Sequence, residues 1–176
     1  MTRTKIHRLA MSGVFAALTC VATMFLSVRS PLGGYFNMGD TLVLLSVLLL
    51  GKKWGTVSGA VGAALADVFL AYFLYAPATL VIKALTALTA AVIWSLLRKK
   101  NYFVLLIACI LGELVMAGGY FLFELFLYDW SGCWQNLVFV NLPQAAINAV
   151  TASLLFFLLE KTKLTEYIKR GKNHVQ

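Results

Sequence analysis

The sequence is poor in charged residues and in cysteine, and each shortage excludes a class of protein. Charged residues make up 12% of the chain, whereas soluble domains carry roughly 25%, so water is not its main solvent. The three cysteines, Cys20, Cys109 and Cys133, are odd in number and show no C-x-x-C spacing. We therefore expect neither a disulfide framework nor a cysteine metal site.

Sequence motifs of several enzyme classes are also missing. The two histidines, His7 and His174, lie in the terminal arms, and the chain has no serine-elbow or H-E-x-x-H motif. Residues 34–41 have the glycine spacing of a phosphate-binding loop, but Asp40 stands where that loop needs lysine, and a carboxylate repels phosphate. Residues 37–40 lack the first glycine of a G-x-G-D protease signature. The sequence predicts no cofactor, no metal and no ATP site.

Apolar residues, by contrast, make up 61% of the chain. A helix that crosses a bilayer needs about 20 mostly apolar residues, and runs of this kind predict an all-α membrane protein, a single domain of six transmembrane helices. The predicted helices are residues 9–27, 38–50, 54–71, 78–97, 102–127 and 137–159. The second is short and could be tilted or re-entrant. The first is too long for the apolar part of a signal peptide.

The positions of the basic residues predict the orientation in the membrane. Thirteen of the 15 lie in the N-terminal arm, at 52–53, at 98–100 and in the tail 161–172, and the other two are Arg29 and Lys83. Cytoplasmic loops carry the excess of lysine and arginine, so we expect both termini in the cytoplasm. The net charge of +8 is spread over loop ends, which excludes nucleic acid as the default partner.

Ionisable side chains inside the apolar runs are costly in a bilayer and indicate a functional site. Counted from the helix ends, four of them fall in the half of the membrane away from the cytoplasm, namely Asp40, Asp67, Lys83 and Glu124. Glu113 falls near the middle. For Asp67 and Glu113, pairing with Lys83 or capping of a neighbouring helix is the alternative role.

Three amides mark one face of the last helix. Asn141, Gln144 and Asn148 are spaced i, i+3, i+7, which places them on the same side. Because amides both donate and accept hydrogen bonds, such a face could read the edge of a polar ring. Hydrogen bonding between helices is the alternative.

Aromatic residues concentrate at the same end of the molecule. Tyr35, Tyr75, Trp130 and Trp134 are the candidates for stacking on a ligand. An interfacial belt of aromatic side chains explains part of this cluster. The cytoplasmic end is poorer in aromatics, and the asymmetry favours a lid over a flat molecule.

Small residues recur at four-residue spacing in the first helix, where Ser12 pairs with Ala16 and Gly13 with Ala17. Residues 55–66 of the third helix have a similar glycine and alanine pattern. Such faces permit close helix contact. Both packing inside the molecule and docking onto another membrane protein remain open.

Three short sequences resemble the S components of energy-coupling factor (ECF) transporters. They are F-N-M-G-D-T at 36–41, A-L-A-D at 64–67, and Y-A-P-A-T at 75–79 followed by Lys83. The similarity is to the branch that takes riboflavin, hydroxymethylpyrimidine and vitamin B6-type substrates. In general character it extends over residues 5–165.

This resemblance implies a vitamin-binding protein of the bacterial cytoplasmic membrane that tips over within the bilayer during transport. It also implies two kinds of partner, a transmembrane coupling protein (T component) and two cytoplasmic ATPases. The family's first helix contacts the coupling protein through an A-x-x-x-A motif. The nearest match here is Gly13 with Ala17, and Ser12 with Ala16 lies alongside.

The residues then predict how a ligand is held. A small heterocycle would stack on Trp130, Trp134 or Tyr75, and its ring nitrogens and hydroxyls would bond to the three amides. Lys83 and Glu124 would contact an exocyclic polar or charged group. The leading substrates are pyridoxine or hydroxymethylpyrimidine, with riboflavin next.

Tyr35, Asp40 and Asp67 complete the predicted substrate site. Two other functions are compatible with the sequence. One is a self-sufficient carrier or channel for a small solute, and the other is a small membrane enzyme subunit that uses Asp40 and Asp67.

Overall fold

A computed structural model describes residues 3–30, 34–97, 101–162, 165 and 168. The described chain is mostly helical, with one two-stranded hairpin near the start. In chain order the elements are α1 (Arg3–Phe25), β1 (Ser27–Arg29), β2 (Tyr35–Asn37), α2 (Gly39–Leu50), α3 (Lys52–Phe69), α4 (Tyr75–Leu96), α5 (Tyr102–Glu124), α6 (Trp130–Asn136), a π turn (Leu137–Asn141) and α7 (Leu142–Leu159). Elements α6, the π turn and α7 form one continuous helical segment of 30 residues.

Within the described residues, four helical segments are long and apolar enough to cross a membrane, which agrees with an all-helical membrane protein. They are Lys5–Phe25, Tyr75–Leu96, Tyr102–Glu124 and Trp130–Leu159. Their outward faces carry exposed large apolar side chains, as lipid contact requires. The count of six spans and the cytoplasmic location of both termini stay predictions, and residues 98–100 and most of the basic tail lie outside the described residues.

Helix α2 forms the centre of the molecule. Its 12 residues rise about 18 Å, well short of the roughly 30 Å of a hydrocarbon core. Nearly all of its side chains are buried, and Val43 and Leu44 are fully so. A helix that is apolar all round is typical of a core, and α1, α3, α4 and α7 surround this one. The short apolar run predicted at residues 38–50 therefore forms the central core helix.

Helix α3 contacts two neighbouring helices at backbone distance because it carries glycine at both contacts. A Cβ on Gly62 of α3 would lie 2.3 Å from the carbonyl oxygen of Ala16 on α1. A Cβ on Gly55 would lie 2.3 Å from the carbonyl oxygen of Ser46 on α2. Both distances are far below a normal contact, so only glycine permits the observed separation of these helices.

The structure separates the two small-residue pairs of α1. Ser12 is buried and Ala16 is half-buried where α1 meets α3, whereas Gly13 and Ala17 are exposed. No described atom lies within 4 Å of a Cβ built on Gly13. The first pair therefore serves packing inside the molecule, and the second lies on its surface.

The segment between the first two helices differs from the expected loop. It contains an antiparallel hairpin in which Ser27 pairs with Asn37 and Arg29 with Tyr35. The strands have three residues each, too few to show an alternating pattern. Their position matters because β2 forms one wall of the site described below.

The last helical segment begins at Trp130, seven residues before the predicted start at 137. The local cause is a cap, since the side chain of Asp129 accepts a hydrogen bond from the backbone nitrogen of Gly132. Pro143, which would interrupt a regular helix, lies two residues after the π turn, in the first turn of α7. The wider turn accommodates the change of register.

Candidate functional site

A small cavity lies where β2, the start of α4, the end of α5 and the π turn meet. It holds about 20 Å³ of open space, which is room for roughly one water molecule. The side chains around it are mainly polar or aromatic. Its lining residues are Gly34, Tyr35, Asn37, Tyr75, Tyr120, Glu124, Asn136, Val140, Asn141 and Gln144.

Five of the predicted site residues line this cavity, and six do not. The five are Tyr35, Tyr75, Glu124, Asn141 and Gln144. The others are Asp40, Asp67, Lys83, Trp130, Trp134 and Asn148. Four of these six form hydrogen bonds or ion pairs that support the lining. The two tryptophans are more exposed and lie away from the cavity.

A buried ion pair lies behind the cavity wall. The ammonium of Lys83 is 2.6 Å and 2.8 Å from the two carboxylate oxygens of Asp40. The amide of Gln144 donates to the same carboxylate at 2.7 Å. Asp40 lies in the first turn of α2, where the helix dipole favours a negative charge. Lys83 also lies 5.0 Å from the centre of the Tyr120 ring, a cation–π distance.

Asn148 holds the start of α2 in place. Its oxygen accepts from the backbone nitrogen and the hydroxyl of Thr41, at 2.9 and 2.7 Å. Its nitrogen donates to the backbone oxygens of Asn37 and Gln144. The amide is thus fully used in contacts with α2, β2 and its own helix, and it does not line the cavity. The structure gives Asn148 the interhelical role that was the alternative to ligand binding.

Gln144 is shared between the fold and the cavity. Its side-chain oxygen accepts from the backbone nitrogen of Asn37 at 2.8 Å, which ties β2 to α7. Its nitrogen is bound to Asp40, as described above. Of the three predicted amides, only Asn141 lines the cavity with a buried nitrogen that has no hydrogen-bond partner among the described residues.

The π turn places two asparagines at the cavity. Asn136 and Asn141 are five residues apart, a spacing that an α-helix would place on different faces. In a π turn, whose hydrogen bonds join residues i and i+5, both line the cavity. Asn136 was not among the predicted site residues, because it precedes the last predicted helix, 137–159. The sequence does contain a signal for Asn136. It is the first of a series of polar residues that continues with Asn141, Gln144 and Asn148, and only the step of five residues from 136 to 141 departs from helical spacing.

Glu124 is the acidic group of the cavity. One of its carboxylate oxygens accepts from the amide nitrogen of Asn136 at 3.2 Å. The other is buried and makes no hydrogen bond within the described part of the chain. Together with Asn141, the cavity therefore offers one unpaired acceptor and one unpaired donor.

Tyrosines form the aromatic wall. The hydroxyl of Tyr35 donates to Asp67 at the end of α3, and the Tyr35 and Tyr72 rings are 5.1 Å apart. Burial, followed by the charge of Asp67, raises the pKa of Tyr35 above its ordinary value, so this phenol stays protonated and donates. Tyr120, which also was not among the predicted site residues, forms a hydrogen bond with Thr79 at 2.8 Å.

The two tryptophans lie away from the cavity. Trp130 and Trp134 are 62% and 44% exposed, and their rings contact each other at 5.8 Å and Phe121 at 5.8 and 5.3 Å. The helical conformation that begins at Trp130 explains this, because Cys133 and Asn136 occupy its inner face. The position of the tryptophans matches an interfacial belt better than a stacking lid.

The acidic side chains do not form a metal site in the described residues. Asp40 is paired with Lys83, Asp67 accepts from Tyr35, and Glu124 accepts from Asn136. Within residues 3–30, 34–97 and 101–162, no group of three or more histidine, cysteine, aspartate or glutamate side chains could hold a metal ion.

Comparison with known proteins assigns the chain to a family. It is 27% identical over 175 residues to the thiamine precursor transporter HmpT of Lactococcus lactis subsp. cremoris, covering 97% of this chain and 98% of that protein. It is also 32% identical over 142 residues to an uncharacterised Pyrococcus woesei protein, covering 80% and 93%. The family model for the ECF-type riboflavin transporter S component matches residues 3–164. The chain therefore belongs to this family of membrane-embedded, vitamin-binding transporter subunits, which are not enzymes.

Proposed function

We propose that this S component captures a small heterocyclic vitamin or vitamin precursor at the outer cavity and passes it to an ATP-driven coupling module. Hydroxymethylpyrimidine and pyridoxine are the first candidates, and riboflavin is next. The module consists of a transmembrane coupling protein and two cytoplasmic ATPases. The complex would work in a bacterial cytoplasmic membrane with the cavity facing outward.

The observation that carries the proposal is the pair of unpaired groups in the cavity. The free oxygen of Glu124 accepts a hydrogen bond, and the free nitrogen of Asn141 donates one. A buried polar group without a partner costs about 1–3 kcal/mol, so a ligand that supplies both partners recovers that loss. An aminopyrimidine does so, since an exocyclic amine donates and a ring nitrogen accepts.

The aromatic lining supports the same ligand class. Tyr75 and Tyr120 line the cavity with ring centres 6.5 Å apart, and their faces suit a flat ring. The relative named for a thiamine precursor matches nearly the whole chain, which favours hydroxymethylpyrimidine over the other candidates.

The small volume of the cavity also favours a single ring. About 20 Å³ of open space accommodates none of the candidate vitamins, because ligand pockets measure roughly 300–1,000 Å³. The lining must therefore move apart when a ligand enters. A single ring requires less movement than the three fused rings of riboflavin.

Ligand identification on the purified protein tests the proposal. Native mass spectrometry would identify a retained ligand, and calorimetric titration with B vitamins and their precursors would rank them. Glu124→Gln should weaken binding by roughly 10- to 100-fold, the effect of a lost hydrogen bond to a charged group. Asn141→Ala should weaken it about 5-fold, the effect of a neutral hydrogen bond.

A matched control comes from the exposed tryptophan. Trp134→Phe changes an aromatic side chain outside the cavity and should leave the affinity unchanged. A larger loss in Trp134→Phe than in Glu124→Gln would place the ligand at the tryptophans and contradict the cavity assignment. A protein that binds nothing in the panel, yet transports a solute alone in liposomes, would favour a self-sufficient carrier.

The exposed pair on α1 is the proposed contact with the coupling protein. Gly13 and Ala17 lie on the surface, and Gly13 has open space above it. Gly13→Leu should block assembly with the coupling module and leave ligand binding intact, as co-purification and calorimetry would show. Gly118→Leu is the control, because this α5 glycine also has open space around it. Equal loss of assembly in both variants would argue against a specific contact on α1.

A further inference from the structure

Asp67 is a buried carboxylate to which the proposed function gives no role of its own. Its side chain is 1% exposed and does not line the outer cavity. One carboxylate oxygen accepts from the Tyr35 hydroxyl, and the other has no hydrogen-bond partner within the described part of the chain. Asp67 also lies in the last turn of α3, where the helix dipole disfavours a negative charge. Loss of the Tyr35 hydroxyl would therefore be costly for this carboxylate.

Tyr35 is one of the few cavity residues that also reach the surface of the molecule. Seven of the ten lining residues are buried, and the three that are half-buried are Tyr35, Tyr120 and Val140. Tyr120 lies on α5, and Val140 lies in the 30-residue helical segment that contains the π turn. Tyr35 lies on a strand of only three residues. Its ring is thus the part of the wall that can move without displacing a helix.

The backbone of β2 is anchored independently of that ring. Asn37, the last residue of the strand, donates from its backbone nitrogen to the side-chain oxygen of Gln144 at 2.8 Å. The Tyr35 ring is held by the hydrogen bond to Asp67 and by its contact with the Tyr72 ring, whose centre is 5.1 Å away. A rotation of the Tyr35 side chain would therefore open the wall while the strand stays in place.

We infer that Asp67 is a positioning residue that sets the rate of ligand exchange by holding the Tyr35 ring across the entrance to the cavity. The inference rests on the proposed function, in which this cavity is the vitamin site. About 20 Å³ of open space is too little for a vitamin, so part of the wall must move when a ligand passes. Asp67 lies outside the cavity, so a bound ligand does not compete for the Tyr35 hydroxyl. The hydrogen bond is made with and without ligand, and it is broken only while the ring is turned away.

The exchange of hydroxymethylpyrimidine on the full-length protein in phosphatidylcholine nanodiscs tests the inference. Tyr35→Phe keeps the ring and removes the hydroxyl, and Asp67→Ala removes the acceptor. Either variant should raise the association and dissociation rate constants together, by roughly 10- to 100-fold, the range for a hydrogen bond to a charged group. The dissociation constant should be nearly unchanged, because the lost bond stabilises the free and bound forms equally. Rapid filtration with tritiated ligand, followed by dilution into unlabelled ligand, gives both rate constants.

The behaviour of the two rate constants separates this role from two others. If the Tyr35 hydroxyl contacted the ligand directly, Tyr35→Phe would raise the dissociation rate constant alone and weaken the affinity. If Asp67 served only stability, Asp67→Ala would unfold more easily and exchange ligand at the wild-type rate. Either result would overturn the inference. Tyr35 is half-buried, so Tyr35→Phe is expected to fold even if Asp67→Ala does not.

Three further variants show whether the two residues act through one hydrogen bond. Asp67→Asn keeps an oxygen that can accept from Tyr35, so its rate constants should lie between those of the wild type and of Asp67→Ala. Tyr35→Phe combined with Asp67→Ala should exchange no faster than the faster single variant, because both changes remove the same bond. Tyr72→Phe is the matched control, since it removes a hydroxyl from the neighbouring ring, and it should exchange at the wild-type rate. Multiplied effects in the double variant, or equal acceleration in Tyr72→Phe, would contradict the inference.

The same experiment distinguishes failure of this inference from failure of the proposed function. A wild-type protein that binds no vitamin or precursor would overturn both. A wild-type protein that binds, with Tyr35→Phe and Asp67→Ala variants that exchange ligand at the wild-type rate, would overturn the role of Asp67 alone.

Discussion

Removal of the Lys83 ammonium tests whether the buried ion pair stabilises the site. The side chains of Lys83 and Asp40 are 3% and 1% exposed. The substitution Lys83→Met keeps most of the length and removes the charge. It leaves a buried carboxylate that, within the described residues, keeps the hydrogen bond from the Gln144 amide. Breaking a buried pair in this way typically costs about 3–5 kcal/mol, mainly because one charge is left uncompensated.

The double variant Asp40→Asn with Lys83→Met separates this cause from simple loss of packing. An asparagine oxygen can still accept from Gln144, and no charge remains to be solvated, so the free energy of unfolding should return to within about 1 kcal/mol of the wild type. The measurement is unfolding in mixed detergent micelles, followed by tryptophan fluorescence. A cost below about 1 kcal/mol for Lys83→Met, or a double variant no more stable than the single one, would refute the reasoning.

Two further predictions concern stability in the same assay. Gly62→Ala should lower the free energy of unfolding by about 1–3 kcal/mol, since the new Cβ would lie 2.3 Å from the Ala16 carbonyl oxygen. Gly118 has open space around it. Gly118→Ala should therefore be neutral, or raise the free energy of unfolding by up to about 1 kcal/mol. Asn148→Ala should cost at least about 2 kcal/mol, because it strips partners from Thr41 and Asn37, whereas Asn141→Ala should barely change stability. The reverse order within either pair would show that the packing or hydrogen-bond assignment is wrong.

The helical architecture could be predicted from the sequence because its main signal is apolar length. The runs at 78–97 and 102–127 correspond to α4 and α5 within a few residues. The hairpin at 27–37 could not be predicted, since strands of three residues are too short for a periodic pattern. The start of the last helical segment at Trp130 could not be predicted either. Its cap is a weak local contact, and the residues that follow include serine and glycine.

The location of the site could be predicted better than the residues that line it. The helical spacing placed Asn141, Gln144 and Asn148 on one face, and that face does point into the molecule. Spacing alone does not show how close α2 and β2 approach it. Long-range packing brings β2 and α2 close to this face. As a result, Asn148 forms hydrogen bonds with Thr41, and Asn141 remains at the cavity.

The same polar residues thus serve both the fold and the cavity, and this overlap limits which ligand fits. Gln144 holds β2 through Asn37 and supports Asp40, so a ligand that competed for it would have to replace two contacts that fix the cavity wall. Glu124 and Asn141 each have one polar atom that makes no hydrogen bond with the described residues. A ligand bound through these two atoms gains hydrogen bonds without loss of any that the fold needs. Under the proposed function, this requirement favours a small ring that carries both a donor and an acceptor, and it is the physical reason for placing an aminopyrimidine before larger vitamins.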